Sequence, residues 1–120
     1  MRPHEKLDVW RLAIEMVVRV YECTNDFPKD ERFGLTSQIR RAAVSIPANI
    51  AEGAARPHDR EFLQFLGIAQ GSASELETEL LIAQRLNYID EEKFKGLHEE
   101  VNSIARMIVG LSKHLRSRIG

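Results

Sequence analysis

Between positions 62 and 83, the apolar residues Phe62, Leu66, Ala69, Ala73, Leu76, Leu80 and Ala83 are spaced alternately by four and three. Only an α-helix gathers such positions onto one face, and that face is a seam that must pack against another helix. Positions 94–115 repeat the spacing with Phe94, Leu97, Val101, Ile104, Ile108, Leu111 and Leu115. No stretch shows the alternation of a half-buried strand. A chain of 120 residues has room for two more helices and a single core.

Those two helices lie upstream. Over residues 7–25, Leu7, Trp10, Ile14, Val17 and Tyr21 form one stripe, and Ala13, Met16 and Val20 form a second beside it. The result is an unusually wide apolar arc. Over residues 35–53 the stripe is Leu35, Ile39, Ala42, Ala43, Ile46 and Ile50, with Pro47 inside it. Proline donates no hydrogen bond and crowds the carbonyl four residues back, so a kink near Ala43–Pro47 is expected. A fresh start at Pro47 would make Ile46 the N-cap, a poor one, so a single kinked helix is the better reading. Gly53 can close it in a left-handed conformation. Phe27-Pro28 stops the first helix, Asn87 stands where the third would close, and Asp90 is a good N-cap for the fourth.

The expected fold is all-α: an antiparallel up-down-up-down four-helix bundle with a kinked second helix. One domain covers 1–120, with helices at about 7–25, 35–53, 58–86 and 91–117. Its expected core is Trp10, Ile14, Val17, Tyr21, Ile39, Ile46, Phe62, Leu66, Leu76, Leu80, Val101, Ile104, Ile108 and Leu111.

Hydrophobic residues make up 43% and charged residues 29%, the balance of a globular chain. Seventeen Lys+Arg against eighteen Asp+Glu give a net charge of −1, which argues against a dedicated polyanion binder. No apolar run approaches the ~20 residues that span a bilayer, and the charged N-terminus leads into no signal-type stretch. A cytoplasmic chain is expected. Cys23, the single cysteine, allows no internal disulfide and reads as a structural thiol.

Bundles often hold metal through Glu-x-x-His pairs on two helices. None of His4, His58, His98 and His114 has a glutamate three residues before it. Gly67 and Gly71 belong to no phosphate-binding loop, since no Gly-Lys-Ser/Thr follows. No catalytic, cofactor or metal site is expected, and hence no enzyme. Gly71-Ser72-Ala73-Ser74 reads as a close helix approach, against Ala42-Ala43. Gln38, Arg41, Ser45, Asn49 and Glu52 recur at helical steps, as do Ser72, Glu75 and Glu79. Two readings fit them: a solvated face, or a polar seam in which Arg41 faces Glu75 or Glu79, since buried charges survive only when paired. Arg40, Lys113, Arg116 and Arg118 are candidate nucleic-acid contacts, although helix-dipole complementation alone accounts for the last three.

Two stripes on the first helix, with Phe65 and Ile68 outside the seam of the third, exceed what a monomeric bundle can cover. Large exposed apolar patches mark interfaces, so the periodicity predicts self-association.

The run Phe27-Pro28-x-x-Glu31-x-Phe33-Gly34-Leu35-Thr36-x-Gln38-Ile39-Arg40-Arg41-Ala42-Ala43-x-Ser45-Ile46-Pro47-Ala48-Asn49-Ile50-Ala51-Glu52-Gly53 resembles the signature of a bacterial four-helix-bundle family. That family is named for proteins encoded by intervening sequences in 23S ribosomal RNA genes. Leu7-Asp8-Val9-Trp10 and Phe62-Leu63-x-Phe65-Leu66-x-Ile68-Ala69-x-Gly71-Ser72-x-x-Glu75-Leu76 extend the likeness over residues 5 to 115. The resemblance implies a four-helix bundle, a ring-shaped homopentamer and no known enzymatic activity, hence an interaction or scaffold protein. A related branch, the accessory variability proteins of diversity-generating retroelements, is strongly basic and binds nucleic acid; the net charge of −1 departs from it. The alternative function is an RNA- or DNA-binding accessory protein using basic residues repeated around the oligomer.

Overall fold

A computed structural model describes residues 1–119. Its helices are α1 (Asp8–Thr24), α2 (Leu35–Ala54), α3 (Asp59–Arg85) and α4 (Glu91–Ile119), with short 3-10 turns at Pro3–Lys6 and Lys29–Glu31. No strand occurs among the described residues. Each helix packs against its neighbours in cyclic order, α1 on α2, α2 on α3, α3 on α4 and α4 on α1, while α1 and α3 stand diagonally apart. The bundle measures 48 × 21 × 21 Å, close to the length of α4 at 1.5 Å per residue. Among the described residues no helix is long and apolar enough to cross a membrane.

The helix ends follow local chemistry. Asp90 Oδ1 accepts the Lys93 N–H at 2.7 Å, an N-cap for α4. Asn87 has a φ of 64°; the Asn87 N–H donates to Gln84 O at 3.0 Å and the Tyr88 N–H to Ala83 O at 2.9 Å, closing α3 in a Schellman motif. The N-cap position of α2 is Gly34, which has no side chain to cap with. Glu31 substitutes: its Oε1 accepts the Leu35 N–H at 3.2 Å and its Oε2 accepts the Tyr88 hydroxyl at 2.9 Å. A Cβ on Gly34 would lie 2.8 Å from that Oε1, so the glycine makes room for the carboxylate.

α2 runs unbroken through Pro47, which is buried. Gly53 is not the left-handed terminator expected of it. It lies inside α2, buried, where a Cβ would meet Phe62 Cδ1 and Phe65 Cβ at 2.8 Å. The close approach of α2 and α3 is made there. Gly71, expected at such an approach, has open space around it, while Ser72 and Ala73 beside it are buried.

The core holds Ile39, Ile46, Leu66, Leu76, Leu80, Val101, Ile104 and Ile108. Trp10, Val17, Phe62 and Leu111 are half-buried at its edge. Ile14 and Tyr21 are corrections: at 40% and 41% exposed they lie outside it. α1 turns its other stripe inward, burying Val9, Ala13, Met16 and Val20. Spacing defines a stripe but not which of two adjacent stripes faces in. Trp10 and Tyr21 suit a rim, because each has a partner there: His4 edge-on to Trp10 at 4.7 Å, and Arg40 over Tyr21 at 4.5 Å.

Candidate interaction surfaces

The inward turn of Val9, Ala13, Met16 and Val20 leaves Trp10 and Val17 half-buried and several other apolar residues of α1 in solvent. Leu12, Ile14, Val18 and Tyr21 are all exposed, Val18 at 52%. Diagonally across the bundle, α3 exposes Ile68, also at 52%, together with Leu81 and Ile82. Its outer surface near Ile68 is flattened by Gly67 and Gly71, neither of which has a neighbour within 4 Å of a built Cβ. Exposed apolar side chains thus occur on both diagonal helices, as they also do at Phe33, Val44, Leu86 and Val109.

The polar residues of α2 and α3 meet in part. Ser45 Oγ and Ser72 Oγ are 2.8 Å apart, and Asn49 Nδ2 donates to Ser45 Oγ at 2.9 Å and to Ser45 O at 2.8 Å. Gln38, Arg41, Ser45, Ser72 and Glu75 line a cleft of about 380 Å³ between the helices. The expected pairing of Arg41 with Glu75 or Glu79 does not form among the described residues; Arg41 and Glu75 are exposed and stay solvated. Glu52 points elsewhere, pairing with Arg56 at 3.3 Å.

Glu79 is 6% exposed and its Oε1 has no hydrogen-bond partner. Burial, and then the charge and hydrogen bonding of Glu75, push its carboxyl up from 4.5 to about 7. Burial there favours the neutral carboxyl over the carboxylate.

The basic candidates do not converge. Arg40 is half-buried: its Nε donates to Thr24 Oγ1 at 2.8 Å and its Nη2 to Asn25 Oδ1 at 3.2 Å and Tyr21 O at 3.4 Å. It thereby caps the C-terminal turn of α1, where a cation is favourable. Lys113, Arg116 and Arg118 are exposed at the C-terminal end of α4, and Arg118 pairs with Asp59 at the start of α3 at 3.0 Å. The Arg40–Thr24 link joins residues 16 apart, and no periodicity announces it. Glu31, which ties α2 to the α3–α4 turn, was legible only as one position of a longer motif.

Cys23 is half-buried, and burial pushes its thiol up from 9.0, away from the reactive thiolate. Among the described residues, no three His, Cys, Asp or Glu side chains stand where they could hold a metal ion.

Comparison with curated proteins finds no match to this chain. Among solved structures it is similar to a protein with unknown function from the S23 ribosomal protein family of Bacteroides thetaiotaomicron. The two are 27% identical, with a TM-score of 0.79 over 88% of this chain and 98% of that one. Residues 5–110 match the family described as 23S rRNA-intervening sequence protein. That match covers α1, α2, α3 and the first 20 residues of α4 and contains both the Glu31-x-Phe33-Gly34 cap and the Gly53 contact, and on it the chain belongs to the 23S rRNA-intervening sequence protein family.

Proposed function

We propose that this chain is a non-enzymatic scaffold that assembles head-to-tail into a homo-oligomeric ring, the outer face of α1 on one subunit packing against the outer face of α3 on the next. One observation carries the reading: α1 exposes Ile14, Val18 and Tyr21 and the diagonal helix α3 exposes Ile68 and Ile82, among exposed apolar side chains that also include Phe33, Val44, Leu86 and Val109. Apolar faces of this kind mark interfaces. Two different faces on diagonal helices suit a heterologous contact, which closes into a ring, better than a two-fold contact, which would use one face twice. A ring of five is the number implied by the resemblance to the family.

The nucleic-acid reading has weaker support, because Arg40 is tied to α1 while Lys113, Arg116 and Arg118 gather at the end of α4.

The test uses two face variants, Val18→Asp and Ile68→Asp, both at exposed positions. Each alone should lower the mass to that of a monomer while leaving helicity intact. Mixed, they should form a dimer, since one intact α1 face then meets one intact α3 face and the chain cannot continue. If Ile68→Asp leaves the assembly unchanged, the head-to-tail contact is wrong.

A further inference from the structure

The groove between α1 and α2 is electrostatically unbalanced. It measures about 570 Å³ and is lined by Tyr21, Arg32, Phe33, Thr36, Arg40 and Arg41, among others, with no acidic residue in its wall. Small-ligand clefts run from roughly 300 to 1,000 Å³. In a chain with eighteen Asp+Glu against seventeen Lys+Arg, three arginines sharing one groove with no carboxylate are out of keeping with the whole. Among the described residues none of the three lies within 4.0 Å of an acidic side chain. The nearest acid in sequence, Glu31, has its oxygens engaged by the Leu35 N–H and the Tyr88 hydroxyl. Glu75 lies in the adjoining cleft, which shares Arg41 and Ser45 with the groove, and does not pair with Arg41.

Two further features point the same way. Thr36 stands in the first turn of α2, where the helix dipole is positive and anions are favoured. Phe33 is 87% exposed, with the Arg32 guanidinium 5.1 Å from its centre. A phenyl ring held in water against an arginine offers a flat platform to a second flat group.

We propose that the α1–α2 groove binds a mononucleotide, its phosphate held by Arg32, Arg40 and Arg41 and its base laid on Phe33. Guanidinium groups match phosphate oxygens with paired, charge-assisted hydrogen bonds. Arg40, whose Nε and Nη2 are engaged by Thr24, Tyr21 and Asn25, offers its Nη1 alone, while Arg32 and Arg41 are exposed and supply the paired contacts. All the lining residues come from one subunit, and the groove adjoins the α1 face of the proposed assembly through Tyr21.

The test is calorimetric titration of the full chain with AMP, inorganic phosphate and a single-stranded oligonucleotide lacking terminal phosphates. AMP should saturate at one per subunit, and phosphate should occupy the same site more weakly and compete with it. Arg32→Ala and Arg41→Ala should each weaken AMP binding at least tenfold. Phe33→Ala should weaken AMP but leave phosphate unchanged. All three positions are exposed, so the variants should retain the helicity of the parent. No heat with millimolar AMP, AMP binding unaltered in the Arg32→Ala/Arg41→Ala double variant, or binding of the oligonucleotide alone would each overturn the proposal.

Discussion

Ser45 Oγ and Ser72 Oγ lie 2.8 Å apart and link α2 to α3 across the bundle. Ser45 Oγ also accepts the Asn49 amide at 2.9 Å, and either hydroxyl can donate in the Ser45–Ser72 pair. This small relay is what the polar residues of the two helices make together. A side-chain hydrogen bond contributes about 1 kcal/mol net. A double-mutant cycle with Ser45→Ala and Ser72→Ala, read by urea unfolding, should return a coupling of about that size. A coupling of zero would mean that the two hydroxyls are solvated separately.

Gly53 and Gly96 should respond oppositely to the same substitution. At Gly53 a methyl group would sit 2.8 Å from Phe62 Cδ1 and Phe65 Cβ, and overpacking of that kind costs about 1–3 kcal/mol. Gly96 lies within α4 with nothing within 4 Å, so Gly96→Ala should gain roughly 0.5–1 kcal/mol from helix propensity. Thermal or urea melts of both variants check it; a stabilised Gly53→Ala would show that the two helices can separate freely there.

Spacing in the sequence was enough to find four helices, their order and the seams of α3 and α4, because a seam that packs against two neighbours has one way to face. The phase of α1 was not legible. Its two stripes are similarly apolar, and only the docked bundle decides that Met16 turns inward and Ile14 outward. Gly53 was misread for a related reason: a glycine near a helix end serves a left-handed cap or a close approach equally well in one dimension. Contacts between distant residues, such as Arg40 with Thr24, leave no periodic trace.

The reassigned phase has a direct consequence. Met16→Ala and Leu76→Ala remove fully buried side chains and should each cost about 2–5 kcal/mol. Ile14→Ala should cost well under 1 kcal/mol in the dissociated subunit, since Ile14 is exposed there. Chemical denaturation at dilution compares them, and equal losses at Met16 and Ile14 would reverse the assignment.

Glu79 should make stability depend on pH. Its carboxyl is raised from 4.5 in the unfolded chain to about 7 in the fold, so the folded state holds the proton more tightly. The contribution is complete below about 4.5 and is lost as pH rises through about 7. Across that window the folding equilibrium should fall by up to about tenfold per pH unit from this group. Glu79→Gln should abolish this component, and the difference between the two pH profiles isolates it from other carboxylates. Parallel profiles would show that Glu79 ionises normally.

The proposed ring requires the exposed apolar residues of α1 and α3 to be covered by other copies of the chain. Light scattering coupled to size exclusion at micromolar concentration measures this directly. The mass expected is that of a closed ring, five subunits, unchanged on moderate dilution. A mass of one subunit would contradict the account, leaving Val18 and Ile68 as isolated surface residues, and a dimer would replace the ring with a two-fold contact.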